Sequence, residues 1–231
     1  MFYLPVLAGE PPLSRRPRRT RQASGYEPRK RPPGILFVEG AGDRAIIEGW
    51  ARSVSPRFER SVRAATIILG GRQPARARRH LQEARQENPG LRGLCILDRD
   101  VVADADPEET DGLEIRTWQR RHIESYLLDP EAIRRAFRRR DHDGRLVRFL
   151  TDLFPAADDA RALRELHAKT LLGPNGRVAA ELGRAVPLGR VARAMRPEHH
   201  PAEVRQLLVR LATLLGHATP KPVVTLRRPT E

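Results

Sequence analysis

The chain has 231 residues, 39% of them hydrophobic, with 43 Lys and Arg against 29 Asp and Glu. That length accommodates one sizeable core with a small appendage and excludes two large domains, and a formal net charge of +14 favours encounter with polyanions, nucleic acid ahead of anionic membrane. A single cysteine, Cys95, rules out an internal disulfide; with no apolar run near ~18 residues and no secretory signal pattern, a reducing, cytoplasmic setting is expected.

Residues 11–33 carry eight basic side chains against Glu27 alone, so half of the net charge lies in a proline-rich segment with too little apolar surface to fold by itself. A disordered basic arm is expected over 1–33. Arg greatly exceeds Lys throughout, which suits phosphate recognition by a planar guanidinium and equally suits the coding bias of a GC-rich genome.

From Gly34 the pattern changes. Ile35 to Val38 reads as a short buried strand, and Asp43 is placed to cap a helix whose apolar face is Ile46, Ile47, Trp50 and Val54. A second strand is predicted over 62–69, a turn at Gly70-Gly71, a basic helix over 74–87 with Pro74 in its first turn, and a third strand over 91–97. Such a β-α-β-α-β order implies parallel strands. Residues 98–114 hold eight acids and one base, the character of a mobile loop, followed by a further strand over 113–118. Asp129-Pro130 reads as the cap and first turn of a helix reaching Arg138. Beyond Arg140 the pattern is helical over 146–153, 159–172, 176–182 and 202–215, with an edge strand over 223–226 and no internal repeat.

Two acidic motifs follow apolar runs: Glu39-Gly40-Ala41-Gly42-Asp43 after the first strand, and Asp98-Arg99-Asp100 after the third. Ends of neighbouring parallel strands meet at the carboxyl edge of a sheet, where open α/β folds place ligands. Strand-end carboxylates supply the rigid oxygen ligands that Mg²⁺ needs. Asp98 and Asp100 would face one side with Arg99 pointing away. Glu39 can serve as metal ligand, water activator or acid to a leaving oxygen, and the small residues after it admit a phosphate close to the backbone. Asp43 either orients Glu39 or merely caps the helix. Glu124, in Ile123-Glu124-Ser125-Tyr126, is a further candidate ligand, and Arg99, Arg120, Arg121 and His122 are candidate contacts for substrate phosphates. No P-loop or nucleophile elbow occurs, and the seven histidines lack zinc spacing.

These residues resemble the Toprim domain. The strand ending in Glu39-Gly40 with Asp43 is similar to its first motif, Asp98-Arg99-Asp100 to its Asp-x-Asp motif, and Ile123-Glu124-Ser125-Tyr126-Leu127-Leu128 to the Ile-Glu-Asn-Tyr-Leu-Leu signature of OLD-like bacterial Toprim proteins, with Ser125 in place of Asn. The resemblance covers about residues 34–137. It implies an α/β fold, a Rossmann-like parallel sheet flanked by helices over 34–140, with a helical extension over 141–231. It implies a metal-dependent nuclease of DNA or RNA in which Glu39 is the acid/base and a possible ligand, assisted by Asp43, and in which Asp98, Asp100 and Glu124 coordinate Mg²⁺ or Mn²⁺. OLD proteins usually carry an ATPase ahead of this domain, so the resemblance implies either that the ATPase is a separate partner chain, as in phage-defence systems whose sensor controls a small Toprim effector, or that the nuclease acts alone. A non-catalytic Toprim-like interaction module and a primase-like phosphotransferase stay open as alternatives.

Overall fold

The computed structural model describes residues 33–99, 108–137 and 144–218. Asp100, the arm over 1–32, most of the acidic loop and the expected strand over 223–226 lie outside them. The described residues belong to one compact unit, Pro32–Glu231.

Three strands form where the apolar runs led: β1 (Gly34–Val38), β3 (Arg92–Leu97) and β5 (Leu113–Thr117). With β2 (Thr66–Ile68) and β4 (Glu108–Thr110) they make one sheet in the order β2-β1-β3-β5-β4. All pairings are parallel except that of β4 with β5. The register sets Val38 beside both Ile68 and Ile96, so β1, β2 and β3 end together at one edge. The chain leaves β1 for a neighbour on one side and later returns to its other side, which makes the β1/β3 carboxyl edge a topological switch point.

Period-two alternation sorts the side chains to two faces. Leu36, Val38, Leu94 and Ile96 join the larger core with helices α1 (Ala41–Val54) and α2 (Pro56–Ala65). Phe37, Cys95 and Leu97 join a smaller core under α3 (Pro74–Glu87), which contributes Ala77 and Leu81. Cys95 is fully buried, and burial pushes its thiol up to about 12.

Several expectations need correction. The apolar stretch over 62–69 is mostly helix: Ser55 Oγ accepts from the Phe58 amide at 3.0 Å, Pro56 opens the first turn, and Phe58, Val62 and Ala65 fall on one buried face, leaving only Thr66–Ile68 as strand. Asp43 is not the N-cap residue of α1. Gly40 holds that position, and Asp43, three residues on, reaches back to accept from the Gly40 amide at 2.8 Å. Val54 is exposed rather than part of the apolar face. The acidic stretch contains β4, joined to β5 by Asp111 and Gly112 at φ 50° and 76°, the left-handed pair that a two-residue hairpin turn requires. The segment from Ile123 to Leu127 is a 3₁₀ turn, and Asp129 caps α4 (Pro130–Ala136) by accepting from Ala132 at 2.8 Å.

The helical region continues with α5 (Arg145–Leu153), α6 (Ala160–Glu165), α7 (Ala168–Leu172), α8 (Arg177–Leu182), α9 (Leu188–Ala194) and α10 (Ala202–Leu214). The stretch over 159–172 is two helices, and α9 was not expected. Among the described residues no helix is long and apolar enough to cross a membrane. Glu203 of α10 receives the Gln119 amide at 2.9 Å and the Tyr126 hydroxyl, while Trp118 packs against both Trp50 and Tyr126.

Helix α9 crosses α1 at glycine. A Cβ on Gly49 would lie 2.3 Å from the Gly189 carbonyl oxygen and 2.8 Å from Ala192 Cβ. Gly49→Ala is expected to lower stability by about 1–3 kcal/mol through overpacking despite the better helix propensity of alanine, whereas Gly42→Ala in the same helix meets open space and is neutral or slightly stabilising. Denaturant titration of the two variants checks the contrast.

His200 is 2% exposed, 3.4 Å from Ser53 Oγ, and burial pushes its imidazole down to about 4 from 6.5. A histidine kept neutral by the fold is protonated more readily after unfolding, so the stability it contributes is complete above 6.5 and is lost as pH falls toward 4. The total is on the order of 3 kcal/mol. His200→Gln is expected to flatten the unfolding free energy between those pH values by up to about 1.4 kcal/mol per unit, read from denaturant curves at stepped pH.

Candidate functional site

The site lies at the carboxyl edge of β1 and β3. After β2 the Leu69 amide bonds the Val38 carbonyl at 2.8 Å, and the Gly70 and Gly71 amides both bond the Glu39 carbonyl, at 3.0 and 2.9 Å. Gly70 and Gly71 stand at φ 79° and 117°, a backbone path that L side chains resist, so this turn needs its glycines. On the other flank the Asp98 amide donates to Glu39 Oε1 at 2.8 Å. The acid that ends β1 is thereby fixed to the backbone that ends β3.

Asp98 is 5% exposed and fully engaged. Its Oδ1 accepts from the Ile123 amide at 3.1 Å, and its Oδ2 lies 3.0 Å from Lys169 Nζ and 3.3 Å from His122 Nδ1. One carboxylate thus ties together β3, the 3₁₀ turn and α7. Burial pushes the His122 imidazole down and the Lys169 charge adds to this, while Asp98 opposes it. For Lys169, partial burial works against the charge, but the bond to Asp98 and the fields of Asp98, Glu124 and Asp43 outweigh it and hold the ammonium above its ordinary value.

Glu124 and Asp43 complete the group. Glu124 is 7% exposed, and its Oε2 is buried with no hydrogen-bond partner. Burial pushes its carboxyl up; Lys169 pulls it down, and the charges of Asp98 and Asp43 push it further up. Asp43 is raised by burial against the bond from Gly40, with Asp98 again adding repulsion. Three acids from three separate stretches, Asp43, Asp98 and Glu124, therefore share one field with Lys169.

The candidate phosphate contacts are placed differently from one another. Arg99 is 9% exposed and turns to the Arg164 carbonyl at 3.1 Å and the Glu165 carboxylate at 2.8 Å. Arg120 donates to the Ser125 carbonyl and lies over the Tyr126 ring, 4.7 Å from its centroid. The Arg121 amide bonds the Arg164 carbonyl at 3.0 Å. His122 stands on Asp98, edge-on to His167 at 4.6 Å. Two residues at this edge had no mark in the sequence: Lys169, and Arg72, whose guanidinium donates to the Asp98 carbonyl.

The donor chemistry suits a hard divalent cation, since the acids offer only carboxylate oxygens and one of them, Glu124 Oε2, is buried without a partner. Among the described residues no three His, Cys, Asp or Glu side chains form a group that could hold an ion. Lys169 supplies the positive charge that such a group of acids requires.

Glu124→Gln removes a charge that lies buried beside two other carboxylates. The variant is expected to unfold a few degrees above the parent at neutral pH, roughly 2–4 °C for each kcal/mol gained, with the difference shrinking as acidification protonates the parent's Glu124. Calorimetry at pH 7.5 and pH 4 reads both effects.

No protein-family model and no curated protein matches the chain. Two solved structures resemble it, both of the C-terminal region of the OLD protein of Xanthomonas campestris pv. campestris, one phased with iodine and one with platinum. Identities are 18% and 17% and TM-scores 0.41 and 0.43; the matches span 80% of this chain and 96% and 94% of the other. The likeness is remote.

Proposed function

We propose that the chain is a divalent-metal-dependent phosphodiester hydrolase acting on nucleic acid. The observation that carries this reading is the gathering of Glu39, Asp43, Asp98 and Glu124 at the switch point of a parallel sheet. Mg²⁺ or Mn²⁺ would draw its ligands from Glu39, Asp98, Asp100 and Glu124, although no three of the described carboxylates converge on one ion position and Lys169 occupies Asp98 Oδ2; when bound it would polarise the phosphate and lower the proton affinity of water.

The chain's own residues do the rest. Glu39, half-buried and oriented by the Asp98 amide, is the group to take the proton from attacking water. Asp98 keeps the 3₁₀ turn against the sheet, so Glu124 is presented at the same edge. Lys169 neutralises the acids and limits their repulsion of an approaching phosphate. The net charge of +14 draws the polyanion in.

A second reading, a Toprim-like module that binds nucleic acid without cutting it, draws support from Lys169, whose ammonium already occupies Asp98 Oδ2. Purified full-length protein with labelled DNA or RNA and Mn²⁺ separates the two. Cleavage is expected, reduced about 10²-fold or more in Glu39→Gln and in Asp98→Asn. Glutamine at 39 keeps an acceptor for the Asp98 amide, so that variant should fold as the parent does. Equal cleavage by both variants and the parent would sink the assignment; binding without any cleavage would favour the module.

A further inference from the structure

Helix α3 presents arginine in an ordered way. Arg72, Arg76 and Arg79 are spaced by four and three residues and all are exposed, whereas Ala77 and Leu81 on the inner face are buried in the core. Arg76 and Arg79, three residues apart, fall on one side of the helix, and Arg72 stands in the turn just before it, ahead of Gln73 and Pro74. The row begins at the site itself, because Arg72 donates to the Asp98 carbonyl and follows the two glycines whose amides bond Glu39.

Several arginines elsewhere among the described residues are paired with acids. Arg44 and Arg63 are paired with Glu48, Arg52 with Glu59, Arg92 with Glu109 and Arg210 with Glu114. On α3 itself Arg78 is paired with Glu108, and Arg85 bonds the Pro89 and Asp111 carbonyls. Arg72 and Arg76, by contrast, donate to the neutral carbonyls of Asp98 and Leu69, Arg76 also to the His80 ring, and Arg79 makes no ion pair among the described residues. No acid occurs in sequence from Leu69 to Gln82. A guanidinium whose partners among the described residues are neutral keeps its charge and its remaining donors for an incoming oxyanion.

We propose that nucleic acid reaches the carboxylate edge along this row, with Arg72 holding a phosphate beside the reacting one and Arg76 and Arg79 holding those that follow. Arg76 and Arg79 are separated by about 4.5 Å of helix rise, with Arg72 ahead of them in the turn, a spacing on the scale of successive phosphates of one strand at ~3.4 Å of axis each. The inference rests on the hydrolase reading for the location of the chemistry but concerns binding, which is measured without turnover.

The test is fluorescence anisotropy of labelled duplex DNA with the full-length chain in EDTA, titrated with KCl. Arg72→Gln and Arg79→Gln are each expected to reduce the slope of log affinity against log salt by about 0.9, and the double variant by about twice that. Arg210→Gln, which removes an arginine already paired with Glu114, should leave the slope unchanged. Parental slopes in both row variants overturn the proposal, as does an equal loss from Arg210→Gln, which would indicate a diffuse field. Weakened binding by the row variants alongside a parent that never cleaves keeps the row and removes the hydrolase. No binding by the parent removes both.

Discussion

The hydrogen bond from the Asp98 amide to Glu39 Oε1 is the constraint on which the site depends. It joins two positions 59 residues apart and exists only because β1 and β3 are adjacent, parallel and in register at Val38 and Ile96. Slip that register by one residue and every side chain of β3 changes face, placing Cys95 and Leu97 where Leu94 and Ile96 now meet the larger core. Apolar packing on both faces of the sheet therefore protects a polar contact at its edge. The acids are positioned by hydrophobic sorting rather than by one another, since left alone they would repel.

That repulsion explains much of the local architecture. Asp98 collects a backbone amide, an imidazole and an ammonium, which together bring α7 and the 3₁₀ turn onto the strand ends. Glu124 lacks such compensation on Oε2 and is pushed toward the neutral form. The carboxylates are thus compensated unequally, Asp98 by three donors and Glu124 with one oxygen left unpartnered.

The parts of the site legible in the sequence were those governed by short-range rules. Ile35 to Val38 and the run ending at Leu97 are too short and too β-branched or leucine-rich to be anything but buried strand ends, so Glu39 and Asp98 could be assigned to a common edge. The run over 62–69 misled because its apolar residues straddle a junction: Val62 and Ala65 continue a 3.6-residue period begun at Phe58, and the strand takes over only at Thr66. The hairpin turn at Asp111-Gly112 carried a recognisable signal, masked by the surrounding acids. Lys169 and Arg72 were beyond reach. Lys169 meets Asp98 across 71 residues through a helix whose break from α6 no local pattern announced, and Arg72 is one arginine among many until its carbonyl partner is seen.

Cys95 sits in the middle of β3, level with Phe37 on one side and Ile115 on the other, with no exposed surface. Its thiol is pushed up to about 12 and is closed to reagents at neutral pH. Since it is the chain's sole cysteine, the native protein offers a silent background for thiol chemistry. A spin label or fluorophore attached through a cysteine introduced at a chosen surface position would report from that position alone, with the wild-type sulfur left in place.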